Sequence, residues 1–410
     1  MVFSGILKGD NILQQERDIF MFKKLKAENL EQYFLKLIKN RKPEGFEKFL
    51  LCVLFVASRF YRMAVQIRIW MYEKRIIRNR SIGCLVVSIG NVSCGGTGKT
   101  PVVEVFARSL TEQGRRVAIL SRGYRSKSLT FWEKLEKRFA HKKIELPPRI
   151  VSDGNEVMLN PREAGDEPYM LASNLQKVAV LVDKDRVKSG LYAIDKFETD
   201  VLILDDGFQY LRLKPHINIV LVDSTDPFGN GHVLPRGILR EPVKNIARGD
   251  YIFLTKSSGG NKNNHLRKFL RKYNKRAEII ECCHKPQYLQ HVFNCEEKYP
   301  LESLRNTRVA AISAIAQPSS FEGFLEKQGA IIVERIHYAD HHAYSQQEII
   351  DFINQAKKAG AEYIITTEKD AVRVPRIDRQ DIKMLFLRIQ IDILSGQENF
   401  EQCIKRICFL

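Results

Sequence analysis

The stretch Val87 to Pro101, VSIGNVSCGGTGKTP, sets a glycine-rich turn and a Gly-Lys-Thr directly after a β-branched apolar run. That is the layout of a phosphate-binding loop between a strand and a helix. Backbone N–H groups of Gly95, Gly96 and Gly98 would wrap a nucleotide's phosphates, and Lys99 would reach the β and γ oxygens. Thr100 would offer its hydroxyl to Mg²⁺. The candidate nucleotide-binding set is therefore Ser93, Cys94, Gly95, Gly96, Thr97, Gly98, Lys99 and Thr100. Ser93 stands where the usual pattern has its first glycine, and Gly90 with the Gly95-Gly96 pair supplies the flexibility instead.

From Cys84 onward, apolar β-rich runs alternate with helical stretches: CLVVSIG, VAIL, KVAVLVD, VLILDD, INIVLVD and YIFLT. Alternation of this kind predicts an α/β fold, a mostly parallel sheet flanked by helices. Near Leu301 the pattern restarts with RVAAISAIA, AIIVERIHY, EYIITTEKD and MLFLRIQI, which predicts a smaller C-terminal α/β domain. The expected organisation is a polar extension over 1–48, a membrane-associating helix over 49–80, a phosphate-loop domain over 81–300 and the smaller domain over 301–410. Residues Lys127 to Pro148, Lys-rich with Phe131 and Trp132, read as an insertion or flap.

The net charge of +18 points to an anionic partner: nucleic acid, an anionic lipid surface or a phosphorylated substrate. Eight scattered cysteines, none in metal-ligand spacing, read as reduced thiols of a cytosolic protein. No cleavable signal peptide is read in the mixed, charged opening. Phe49 to Tyr72 has an apolar start, but Arg59, Arg62 and Arg68 interrupt the rest, and Phe60, Tyr61, Trp70 and Tyr72 mix with them. Such a composition suits a helix in an anionic interface. The competing reading is an amphipathic helix packed on the protein's own core.

Asp205 and Asp206 end the run VLILDD, where a buried strand facing a phosphate loop carries the carboxylate that holds Mg²⁺. Asp166 and Glu167 precede a proline at a predicted helix start. Asp340-His341-His342-Ala343-Tyr344 follows a strand, and histidine beside acid suits proton transfer. Adjacent histidines point apart, so they make a poor pair of metal ligands. Thr366 to Arg373 reads on its own as a charged helix start capped by Thr367. Arginines in SRGY (Arg122) and LREP (Arg240) sit in loops where a guanidinium can fork onto phosphate.

Taken in order, SIGNVSCGGTGKTP, SRGY, GDEP, DDGFQ, FGNG with LP and LREP, DHHAY and TTEKDAVR resemble the tetraacyldisaccharide 4'-kinases of bacterial lipid A synthesis. The resemblance runs from about residue 85 to 373 and extends to the arginine-spiked helix before it, leaving 1–45 uncovered. It implies transfer of the γ-phosphate of ATP to the 4'-hydroxyl of a tetraacyldisaccharide 1-phosphate, giving lipid IVA, with ATP and Mg²⁺ as cofactors. By motif, Asp166 matches the family's proposed base, His341 its partner and Glu167 a close neighbour, with Lys99 at the phosphates. Thr100, Asp205 and Asp206 would serve Mg²⁺; Arg122, Tyr124, Gln209, Arg240 and His342 would line the substrate region. Which of His341 and His342 assists the base stays open.

Two departures stand out. Tyr210 occupies the histidine of the family's DDGFQH, and Arg125-Ser126 follow SRGY where Gly-Arg is usual. The implied location is the inner membrane, peripheral or held by a single N-terminal helix, with the site facing the cytoplasm. The implied partner is the acylated disaccharide, and no nucleic-acid partner is expected. The alternative function is a membrane-associated phosphate-loop ATPase or GTPase switch. That reading needs neither a histidine–acid cluster nor an acyl-chain groove, and the guanine-specifying Asn-Lys-x-Asp string is absent.

Overall fold

The computed structural model describes residues 37–38, 44–123, 147–379 and 381–409. The β-rich runs of the sequence become strands, with β3 added to them: β1 (Leu85–Asn91), β2 (Val117–Ser121), β3 (Arg149–Ser152), β4 (Val178–Val182), β5 (Val201–Asp205), β6 (Ile217–Asp223) and β7 (Tyr251–Thr255). Then come β8 (Glu278–His291), the short β9 (Lys298–Tyr299), β10 (Arg308–Ser313), β11 (Ile331–His337), β12 (Tyr363–Thr367) and β13 (Lys383–Ser395). Their order is β11-β10-β12-β13-β8-β7-β6-β1-β5-β2-β4-β3, with β9 paired to β8.

Pairing along that path is parallel except between β13 and β8 and between β4 and the edge strand β3. Two parallel blocks therefore meet at one antiparallel junction within a single sheet. Strands β2, β4, β5 and β7 are buried at every position, the mark of a parallel sheet covered on both faces. Alternate side chains feed opposite layers. Val87, Ile89, Ile119 and Ile203 join one core cluster, while Val86, Leu120, Leu202 and Leu204 join another.

β1 lies between β5 and β6, with Val87 opposite Ile203 on one side and Ile217 on the other. Gly90 permits the turn after β5 to close on this central strand, because a Cβ there would stand 2.7 Å from the backbone nitrogen of Phe208.

By internal contacts the chain divides into two units, 1–65 with 228–242, and 66–227 with 243–410. In the first, Tyr61 Oη donates to Arg240 O at 3.0 Å and the Phe55 ring meets His232 edge-on. The helix Phe46–Glu73 begins there, and Phe46, Phe49 and Phe60 are each more than 60% exposed. It is long and apolar enough to cross a membrane, and little of it is buried. The reading of a helix packed on the protein's own core does not fit that exposure. The second unit holds the sheet, the phosphate-binding loop and the Asp166 cluster.

Candidate active site

β1 ends at Asn91 and the helix Lys99–Glu112 starts directly after Gly98. Gly98 stands at φ 74, and a Cβ on it would meet His284 Nε2 at 3.0 Å, so both conformation and space favour glycine. Asn91 Nδ2 donates to Thr97 Oγ1 at 2.9 Å, and Thr255 Oγ1 donates to Thr97 O at 2.8 Å. These bonds pin the loop on its sheet side. Ser93 and Thr97 are buried, Cys94, Gly98, Lys99 and Thr100 partly exposed, and Gly95 and Gly96 exposed. The helix has no acid in its first turn, leaving its positive end and unpaired amides for an anion.

Asp205 closes β5, and Asp206 follows at φ 55, a left-handed conformation that costs a non-glycine residue roughly 1–3 kcal/mol. Asp206 Oδ1 lies 3.8 Å from Lys99 Nζ. Asp205 accepts from Ser121 Oγ at 3.0 Å, and its backbone oxygen accepts from Arg186 Nη2 at 3.0 Å. Burial, reinforced by Asp206, pushes the Asp205 carboxyl above the usual range against the pull of Lys99 and Ser121. A buried carboxylate with a second acid beside it fits a hard divalent cation, which would relieve both its burial and the repulsion. Among the described residues no group of three or more His, Cys, Asp or Glu could hold a metal by itself. That suits Mg²⁺, which takes one or two carboxylates and fills its remaining positions with phosphate oxygens and water.

The third component assembles over long sequence distances. Asp166 opens the helix Asp166–Asn174. Its Oδ2 lies 3.1 Å from His341 Nδ1 and 2.7 Å from Arg373 Nη2, and accepts from Arg373 Nε at 2.9 Å. On the far side of the ring, Lys369 Nζ stands 3.0 Å from His341 Nε2. A lysine ammonium only donates, so Nε2 accepts from it, while Nδ1 faces both Asp166 Oδ2 and Arg373 Nη2, each 3.1 Å away. Burial would raise the Asp166 carboxyl, but the bonds from His341 and Arg373 outweigh it and hold it below the usual range. Arg373 is in turn anchored by Asp370, 3.2 Å away and buried, and Lys369 reaches Glu167 at 3.5 Å. His341 sits at φ 65, a second left-handed residue at the site.

His342 takes a different direction. Its ring stacks on Tyr338 at 4.4 Å and its Nε2 meets Glu348 at 3.0 Å, so it does not join Asp166. Gln209 Nε2 donates to Asn91 O at 2.9 Å, which attaches it to the end of β1. Arg122 is exposed just beyond β2, and Arg240 belongs to the 228–242 segment of the first unit. Tyr124 and nearly all of the expected flap lie outside the described residues.

Residue types alone do not reveal Arg186, Lys369 and Arg373. Arg186 is buried beside the acid pair, its guanidinium 5.0 Å from the Tyr210 ring centroid. Tyr210 Oη donates to Asp185 at 3.1 Å and accepts from the Arg186 amide at 3.0 Å. The tyrosine that departs from the histidine pattern thus braces this arginine. Lys369 and Arg373 lie within TTEKDAVR, and the string was their only signal. Thr367 does cap that short helix, accepting from the Asp370 amide.

A strand, phosphate loop and helix, an acid pair on the next strand and a carboxylate–histidine pair together describe a phosphate-loop phosphotransferase. Comparison with known proteins agrees. The tetraacyldisaccharide-1-P 4'-kinase (LpxK) family profile matches residues 50–408, and the chain belongs to that family. It is 33% identical to the tetraacyldisaccharide 4'-kinase of Halothermothrix orenii, over 92% of this chain and 98% of that one. With the namesake from Syntrophus aciditrophicus it shares 37%, over 86% and 91%. The crystal structure of LpxK from Aquifex aeolicus in complex with ATP superposes with a TM-score of 0.67 at 28% identity, covering 87% of this chain and 99% of that one.

Proposed function

We infer that this chain transfers the γ-phosphate of ATP to the 4'-hydroxyl of a tetraacyldisaccharide 1-phosphate, with Asp166 as the base. The chain is an ATP-dependent kinase by family membership, and its relatives bear the corresponding name. The observation that carries the assignment of Asp166 is its place between His341 and Arg373.

A sugar hydroxyl is a weak nucleophile, so its proton must leave as the oxygen–phosphorus bond forms. In the proposed reaction that oxygen attacks the γ-phosphorus, the bond to the bridging β–γ oxygen breaks, and ADP departs. The proton passes to Asp166. The His341 and Arg373 contacts fall on Oδ2, which leaves Oδ1 for the incoming hydroxyl. A carboxylate held below its ordinary range is a weak base. It suits a loose transition state in which the hydroxyl gives up its proton late. Lys99 and the loop amides would bind the phosphates and stabilise their charge. Thr100, Asp205 and Asp206 would hold Mg²⁺, which would supply charge neutralisation to the phosphates. Glu167 would hold Lys369 against His341, and Arg122 and Gln209 would line the acceptor's path.

The acyl chains favour a membrane-surface enzyme, since removing them from lipid costs about 0.8 kcal/mol per CH₂. The exposed apolar helix Phe46–Glu73 supports attachment there, and ATP supports a site on the cytoplasmic face of the inner membrane. Within this reading, residues 301–410 act as the smaller domain and 81–300 as the nucleotide domain. The separate parallel set β10 to β13 supports that division. Incubation of the lipid-reconstituted protein with ATP and a defined disaccharide 1-phosphate should yield a product heavier by one phosphoryl group in the mass spectrum. A folded, ATP-binding preparation that adds none would overturn the assignment.

A further inference from the structure

Beneath the site lies a buried charge network. Arg388 on β13 is 4% exposed, and its guanidinium pairs with two buried carboxylates, Glu104 and Glu368. Asn174 Nδ2 donates to Glu368 at 2.6 Å and to Glu104 at 3.3 Å, while Arg108 reaches Glu104 at 2.9 Å from the surface. Burial pushes the Glu368 carboxyl up, against the opposing pull of Arg388 and Asn174. The β8–β13 ladder shifts register between Arg388 and Ile389.

Each partner belongs to an element that carries a reacting part. Glu104 lies on the helix that begins with Lys99 and Thr100. Asn174 ends the helix that begins with Asp166. Glu368 directly precedes Lys369, which donates to His341. Buried ion clusters of this kind contribute little net stability relative to apolar replacements, yet breaking one is costly because a carboxylate is left unpaired. Their geometry is demanding, and a planar guanidinium that forks to two acids fixes the spacing of what it joins.

We propose that Arg388 is a positioning residue for phosphoryl transfer, setting the phosphate-binding helix in register with the helix of Asp166 and the segment that holds His341. This rests on the assignment of Asp166 as the base. Neither helix needs Arg388 to bind its own ligand; the reaction needs it to place γ-phosphorus and acceptor oxygen within bonding reach.

The test uses the full chain reconstituted with lipid. Arg388→Lys keeps the buried positive charge but loses the planar fork. Turnover at saturating ATP and disaccharide should fall roughly 10- to 100-fold, the scale set by a misplacement of about 1 Å. The ATP dissociation constant should stay within about threefold, and ATP hydrolysed per lipid phosphorylated should rise, because water replaces a displaced acceptor. A fold that is merely weakened would not change that ratio. Unchanged turnover, or a loss fully matched by lost folded protein or lost ATP affinity, overturns the proposal. Arg388→Met with Glu104→Gln and Glu368→Gln removes the unpaired charges, and its folding is verified by circular dichroism and ATP binding; full turnover in this folded variant also overturns the proposal. Asp166→Ala run in parallel separates the two claims. If that variant retains turnover the base assignment has failed; if it is inactive while Arg388→Lys is normal, only the positioning role has.

Discussion

The phosphate-binding loop and the Asp166 cluster lie in one unit, yet their side chains are held by different means. In the loop, twelve residues of contiguous chain from Ser88 to Lys99 contain nearly everything needed, and the strand, the glycines and the helix start fix one another. Around Asp166, partners come from 175 and 207 positions away, and each is held by a further charged group. A local motif survives on backbone geometry. A distant one survives only if several elements keep their register.

That contrast fails most visibly at Asp166. Asp166→Ala should reduce turnover by about 10³-fold while ATP affinity is preserved, within the 10²- to 10⁴-fold typical of a lost general base. Equal losses of turnover and ATP affinity, by calorimetry, would merge the two regions into one. Lys99→Ala should cost about 10²-fold in turnover, on the scale of losing one charge-stabilising donor. Unlike Asp166→Ala, it should also weaken ATP, which a nucleotide titration measures.

Arg373→Gln sharpens the comparison through pH. Asp166 is held below its ordinary value by His341 and Arg373 against burial, so it stays ionised to lower pH than an ordinary aspartate. Removing Arg373 leaves burial more nearly unopposed, and the acid limb of the rate profile should move to higher pH, with about tenfold less turnover at neutrality. The sign for stability is the same: a lowered carboxylate stabilises the fold above its unfolded pKa, and that contribution disappears as the pH falls through the folded one. A limb that stays in place would show that Arg373 does not tune Asp166. The smallest effect belongs to His342→Phe, which keeps the ring against Tyr338 and should alter turnover by less than about threefold. A drop comparable to His341→Ala would bring His342 into the reaction.

The same division explains what the sequence discloses. The loop, the acid pair and the alternating strands are legible because spacing and periodicity are local properties. His341 and His342 are indistinguishable as neighbours in a string. They separate only when one turns to Asp166 at φ 65 and the other is caught by Glu348. Arg388 carries no local mark, since Glu104 lies 284 positions away. The residues 124–146 and most of the first 43 stand outside the described structure, so their expected roles remain expectations.

The helix Gln397–Phe409 follows the antiparallel junction and returns to the first parallel block. Phe400, Cys403, Ile404 and Ile407 complete the core beneath β1 and the phosphate-binding helix, with Phe400 edge-on to Phe106 at 5.2 Å. The nucleotide-binding core is thus sealed by a helix synthesised long after the strands it covers. While the ribosome still holds that segment, Phe106 and Phe253 lack their aromatic lid. Contacts of such long sequence separation form slowly. The emerging chain must therefore keep an apolar face uncovered until that helix arrives, a window in which chaperone capture competes with folding.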